Sequence, residues 1–461
     1  MTAVINGPMK MVSGPGGESA PYYMIRFDKR GVCTSPSSLG HLLKASGDAT
    51  DVFLFSHGWN NDWASATRHY ERFIREFTRA HAAHWNPPDR DFRAVLVGVH
   101  WPSTSLVKDS ERGPEIAGAG ETPAEDGAEG VSSGAQLDLL AEGLGPEQAS
   151  RLYELAERPE LSGGEALEFA ALLAPALAGS DDEIPGPGEA SSDASAGDSD
   201  VPDPAELVRL WSSMPSDDGD RPASRGGFVD DAPGQPAPDS SDPATPETAG
   251  LLDRLNPRNV IRATTVLLMK DRAGRVGGAG VRAMLHGILS ASANSRVHLI
   301  GHSYGCKVVL SALANGSAPP RPVESVLLLQ PATSAKCFAD ADDRSPAGGY
   351  RPALERSRQP IITTFSSHDV PLTKLFHFAA RRASDKREAV IAGAPSEYAA
   401  LGGFGPQDVA SMTTVEALDA PERYVLPSTR LLAVRSDRVI ADHGDVTNPA
   451  TAWALLCQVM E

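Results

Sequence analysis

Ser303 stands where a serine can become a nucleophile. The apolar run Val297-His298-Leu299-Ile300 leads into Gly301-His302-Ser303-Tyr304-Gly305, and a run of helical character, Cys306 to Leu310, follows. Gly-x-Ser-x-Gly between a strand and a helix is the layout of a nucleophile elbow, whose sharp turn lifts the hydroxyl off the sheet edge. Gly301 and Gly305 answer to crowding, because a Cβ at either would meet the neighbouring strand or helix. The N–H of Tyr304 opens the helix, where backbone donors lack intrahelical acceptors and can face an oxyanion. A serine hydroxyl is a poor nucleophile by itself, so a base must lie within hydrogen-bond reach and a carboxylate must orient that base.

Three further stretches carry suitable groups. The buried-type strand Asp51 to Phe55 runs into Ser56-His57-Gly58-Trp59-Asn60-Asn61-Asp62. There Gly58 lets the backbone come close to a substrate and the Trp59 N–H is a candidate donor. The plainer reading is a strand-to-helix loop with Asp62 as helix cap. The strand Pro360 to Phe365 ends at Ser366-Ser367-His368-Asp369. Leu431 to Val434 and Val439 to Ile440 read as last strands or a hairpin, followed by Asp442-His443-Gly444-Asp445 and a final helix, Ala450 to Met460.

In chain order these are His-Gly-Trp, Gly-x-Ser-x-Gly, a strand ending in Asp, and a late His. The order resembles the α/β-hydrolase superfamily, in particular its serine esterase and lipase-like members, over residues 20–102 and 256–461. The resemblance implies Ser303 as nucleophile, His443 as general base, Asp369 as the acid that orients it, and the N–H groups of Trp59 and Tyr304 as oxyanion donors. It implies no metal and no cofactor, and a small-molecule or lipid ester as substrate. His368 and His377 are rival bases, and Asp340, Asp342 and Asp343 are rival acids. Thioesterases, amidases and peptidases share the motif, which does not separate them. From a different class, a non-catalytic binding scaffold would keep the fold without an activated serine.

The elements that must position these groups alternate. Strands at 22–27, 51–55, 94–100, the elbow strand, 325–330 and 360–365 are interspersed with helices at 39–45, 63–83, 259–269, 281–290 and after Ser303. Alternation predicts an α/β fold: a mostly parallel central sheet with helices on both faces. A long acidic insertion interrupts it. Residues 103–250 hold 32 Asp and Glu against 7 Lys and Arg, whereas the whole chain carries −18. The remainder is therefore net basic, and the acidity belongs to one segment, which excludes nucleic-acid binding by it and suits a basic protein partner. Helical islands are expected at 135–143, 147–158, 166–178 and 204–214, with loosely held tethers at 180–202 and 215–248. The chain thus divides into a first core segment of residues 1–102, an insertion of residues 103–255 and a second core segment of residues 256–461.

Several motifs lead elsewhere. Gly274, Gly277, Gly278 and Gly280 fit neither phosphate-loop spacing. His81 and His84 read as solvated helix-end histidines, since no acidic or cysteine partner accompanies them. His302 reads as structural. Cys33, Cys306, Cys337 and Cys457 are too far apart for a zinc-type pair and read as free thiols of a reducing compartment. No signal pattern opens the chain and no apolar run reaches membrane-spanning length, so a cytoplasmic location is expected.

Overall fold

The structure is a computed structural model that describes residues 7–14, 18–59, 61, 63–85, 91–103, 140–141, 144–177, 204–205, 207–208, 257–341, 347–375 and 399–461. Its strands are β1 (Lys10–Ser13), β2 (Ser19–Arg26), β3 (Asp51–Ser56), β4 (Ala94–His100), β5 (Arg296–His302), β6 (Ser325–Leu329), β7 (Ile361–Phe365), β8 (Met412–Glu416) and β9 (Leu431–Arg435). They form one sheet in the order β1-β2-β4-β3-β5-β6-β7-β9-β8. Only the β1–β2 pair is antiparallel. Parallel neighbours need crossovers, and the crossover helices bury both faces. The fold is α/β, as the alternation of elements predicts.

Strand periodicity divides the interior. On β3, Val52 and Leu54 enter one core while Phe53 and Phe55 enter the other. The first core is closed by the helices Pro36–Asp48, Pro257–Val276, Arg282–Ala291 and Tyr304–Ala314. Trp63–His84 and Pro449–Met460 close the second. Because β3 and β5 are adjacent and parallel, the strand ends bearing His57 and Ser303 lie side by side at the carboxyl edge.

The sequence expectations need four corrections. Val439 and Ile440 are not a strand: they close a turn, both N–H groups donating to Ser436 O at 2.9 and 2.8 Å. The edge strands β1 and β8 go beyond the expected set, since half-exposed four- and five-residue segments leave little apolar alternation to read. His81 is buried rather than solvated, its ring stacked on Trp85 at 4.2 Å with Phe92 closing over it. Finally, the helix expected at 259–269 continues to Val276 and passes through a π-helical turn at Gly277–Val281, so the glycine cluster is helical, and Gly277 and Gly280 admit the backbone of Val308 and Gly31 at close range.

The described part of the insertion has a core of its own. Leu152, Leu155, Phe169 and Leu173, from the helices Pro146–Ala156 and Gly163–Leu177, pack with Val260 and Ile261 of Pro257–Val276. That long helix serves two cores, because Met269, Ala273 and Val276 further along it belong to the main one. Arg272 Nη1 ties it to Pro102 O, just past β4, at 2.9 Å. That bond sets this part of the helix beside the carboxyl end of β4. The tethers at 180–202 and 215–248, and most of 204–214, lie outside the described residues. Among the described residues no helix is long and apolar enough to cross a membrane, and all four cysteines are free.

At the opposite, amino edge a buried polar row joins three strands. Asp51 Oδ1 accepts from Arg296 Nε at 3.0 Å and lies 3.2 Å from His298 Nε2, while His298 Nδ1 lies 2.8 Å from Ser325 Oγ. Serine, histidine and aspartate are aligned here too, but all three are fully buried and no substrate can reach them. Their role is to fix strand register. His298→Ala removes its bonds to Asp51 and Ser325 and the stack on Phe53, and is expected to cost about 2–4 kcal/mol of unfolding free energy in urea titrations.

Candidate active site

Ser303 ends β5 with φ 55° and ψ −126°. A non-glycine residue held in the left-handed region costs about 1–3 kcal/mol, and such strain collects at functional sites. Three backbone bonds hold it. Ser303 N donates to Leu329 O at 3.1 Å, and Ser303 O accepts from Cys306 N at 3.0 Å and Ala332 N at 3.3 Å. Gly305 allows the elbow helix to press onto the end of β3: a Cβ there would run into the carbonyl oxygens of Ser56 and His57, the latter at 2.5 Å. Gly58 allows the next peptide to lie against the serine, since a Cβ on it would stand 2.6 Å from Ser303 Cβ and 3.2 Å from its Oγ.

His443 and Asp369 meet at this serine. His443 Nε2 lies 2.8 Å from Ser303 Oγ, and His443 Nδ1 lies 2.7 Å from Asp369 Oδ2. With Nδ1 donating to the carboxylate, Nε2 is free to accept the serine proton. Asp369 is fully buried in the turn after β7, where its Oδ1 accepts from Leu372 N at 3.0 Å. Burial alone would lower the His443 pKa, but the charge and hydrogen bond of Asp369, helped by Asp442, hold it above its ordinary value.

Each loop is fixed from outside the row. Asp437 Oδ1 accepts from Ser367 N at 2.6 Å, joining the turn after β7 to the turn after β9. In the His443 loop, Gly444 N donates to Asp442 Oδ1 at 2.8 Å and Ala441 N to Asp445 Oδ2 at 3.2 Å. Asn448 caps the final helix and reaches back to Asp445 O at 2.8 Å. His302 Nε2 donates to His443 O at 2.8 Å, so the histidine inside the elbow steadies the loop.

Of the expected residues, the structure brings Ser303, Asp369 and His443 together. The Gly58–Trp59 segment lies beside them. Trp59 is half-buried against the main core, and its carbonyl accepts from Asn61 Nδ2 at 2.9 Å. The Tyr304 side chain is buried in the core, where burial and the Asp271 charge raise its phenol well above the usual value. Any part it takes in chemistry comes from its backbone. Among the rivals, His368 is exposed, and Asp340 instead bonds Arg351 and Ala410 N. His377, Asp342 and Asp343 lie outside the described residues, as do Asn60 and Asp62. No cluster of metal-ligating side chains occurs among the described residues.

Sequence reasoning misses the residues behind the row. Gln330, fully buried, donates from Nε2 to Asp369 Oδ2 at 2.9 Å. A polar residue closing an apolar strand, level with the elbow, is the available signal. His57 also belongs to this shell, its Nδ1 donating to Gly58 O at 2.8 Å and its ring stacked flat on Trp101 at 5.5 Å. Tyr70 braces it, accepting from His57 N at 2.6 Å and donating to Val99 O at 2.7 Å.

The surroundings of three histidines near the elbow favour the neutral ring. Burial pushes the pKa of His57 down to about 3. Burial, then the Arg72 and His443 charges, takes His69 to about 4. His302, stacked on His69 at 5.4 Å, is held well below its usual value by burial and by His443. The unfolded chain takes up these protons below a pH of about 6.5 while the folded chain refuses them. Their stabilisation is therefore complete above about 6.5 and is lost as pH falls toward the folded values. His443 acts oppositely, its contribution fading as pH rises through its raised value. The urea midpoint is expected to be lower at pH 4.5 than at pH 7, and His57→Asn should remove part of that difference. An equal midpoint at both pH values would contradict the neutral state of these rings.

Comparison with protein families, with curated proteins and with solved structures finds no match to this chain.

Proposed function

We propose that the chain is a serine hydrolase with the α/β-hydrolase fold that cleaves carboxylic esters through an acyl-enzyme. One observation carries the reading: a strained serine at the carboxyl edge of a parallel sheet, hydrogen-bonded to a histidine that is hydrogen-bonded in turn to a buried aspartate. Ser303 Oγ attacks the ester carbonyl carbon while His443 Nε2 takes its proton. The N–H groups of Trp59 and Tyr304 receive the oxyanion. Collapse expels the alcohol, which takes the proton back from His443. Water, deprotonated by the same nitrogen, then attacks the acyl carbon, and the acyl–Oγ bond breaks as Ser303 Oγ takes that proton from His443, releasing the acid. Asp369 stays ionised and supports the imidazolium in both halves.

In this reading residues 1–102 and 256–461 are one hydrolase core. The helices Pro146–Ala156 and Gly163–Leu177 of the insertion, which pack on Pro257–Val276, are its cap. The substrate is a small-molecule or lipid ester in the cytoplasm, and no cofactor takes part. Trp101 and the Tyr304 side chain are buried in the core, which leaves half-buried Trp59 to favour acyl or aryl groups near the serine. Purified protein is expected to hydrolyse p-nitrophenyl esters faster than the matching anilides, with Ser303→Ala inactive on both. Turnover of thioesters alone would move the substrate class. Inertness to esters, thioesters and amides would overturn the proposal.

A further inference from the structure

Gln330 is held more tightly than a filler residue needs to be. It follows β6 with φ 45°, a strained conformation for a residue with a Cβ. Its N–H donates to Thr364 Oγ1 at 2.9 Å, and the same hydroxyl donates to Gln330 Oε1 at 3.0 Å. That pairing fixes which end of the amide is which. Nε2 has two protons and two acceptors, Gly402 O at 3.1 Å and Asp369 Oδ2 at 2.9 Å. Every polar atom of the side chain is thereby satisfied in a fully buried setting, as a buried amide requires.

What this clamp delivers is one N–H on the carboxylate oxygen that also faces His443. Among the described residues three donors reach the Asp369 carboxylate: His443 Nδ1 and Gln330 Nε2 on Oδ2, and Leu372 N on Oδ1. Gln330 and Leu372 together fix the rotation of the carboxylate, leaving one direction for the imidazole. A side chain without a donor would leave Asp369 free to turn, and would leave all of the Oδ2 charge to the histidine.

We infer that Gln330 is a positioning residue of this row, a neutral donor following β6 that sets both the angle and the charge of the Asp369 carboxylate presented to His443. The inference rests on the proposed hydrolase reading for its consequence, but not for its geometry. The groups that act on His443 are Asp369 from the turn after β7, Asp442 from its own loop, His302 from the end of β5 and His69 from the helix Trp63–His84. Of these, Asp369 is the group that Gln330 hydrogen-bonds.

The test separates this role from simple packing. Gln330→Met keeps the length and removes the donor. With the Oδ2 charge undivided, the imidazolium is better supported, so the His443 titration midpoint should rise by on the order of one unit. It is read by histidine NMR in the Ser303→Ala background, which needs no turnover. In the parent enzyme the same change should lower kcat about 10–100-fold with KM within about twofold, and move the acid limb of the kcat profile upward. Should Gln330→Met fail to fold, Thr364→Val releases the clamp while keeping the amide, and a smaller rise is expected. A midpoint that stays put in folded variants, with or without lost stability, overturns the inference. If the parent protein turns over no ester yet the midpoint moves, the hydrolase reading fails and the positioning role stands.

Discussion

His443→Ala is expected to reduce kcat/KM for an activated ester by about 10⁴–10⁶-fold, and Ser303→Ala by a similar factor. The two losses should not add. In the proposed mechanism Ser303 Oγ and His443 Nε2, 2.8 Å apart, act as one unit, because the hydroxyl attacks only as its proton leaves. Once either is gone the other has nothing to do, so the double variant should match the singles. What remains is the share owed to binding and to the backbone N–H groups. Parallel steady-state kinetics on the three variants and the parent make the comparison. Additive losses would mean the residues act separately, and a His443→Ala protein with near-parental activity would remove the base from its assigned role.

Gly305→Ala is expected to abolish the folded protein or cost well over about 3 kcal/mol. The added methyl has no room: it would be driven into the carbonyl oxygens of Ser56 and His57, which belong to the neighbouring strand and not to a side chain that can swing away. Relief would require the elbow helix to lift off the sheet. That helix is buried along its whole length, from Tyr304 to Ala314. It would also pull Ser303 from Gly58 and so separate the serine from the segment bearing Trp59. Circular dichroism and a urea titration read the stability, and labelling of Ser303 reads the site. A stable, fully active Gly305→Ala protein would show that the contact is not the constraint it is taken to be.

The chain order of groups makes much of this arrangement legible. Local patterns are enough for the strands on either side of Ser303, because fully buried parallel strands are short apolar runs and the turn residues after them are distinctive. His443 stands out as the late histidine between the last strands and a helix. The turn at Val439–Ile440 misleads because two apolar β-branched residues look like a strand, whereas here Ile440 is buried by a loop. The burial of His81 depends on Trp85 and Phe92 folding over the helix end, a contact that helical spacing does not announce. Gln330 is the most instructive omission. Its partner Asp369 is 39 residues away, and both meet only because β6 and β7 are paired. Three-dimensional adjacency at a sheet edge is what sequence spacing cannot supply.

The most direct measurement is reaction of the intact protein with a fluorophosphonate, followed by mass spectrometry of the proteolytic peptides. Such a probe reacts with a serine activated by a neighbouring base and not with ordinary hydroxyls. A single phosphonylated residue, Ser303, is expected, with labelling that falls sharply in His443→Ala and rises with pH through the titration of His443. A folded protein that takes up no label at Ser303 at any pH, or that labels equally without His443, would contradict the assignment of Ser303 and His443 as nucleophile and base.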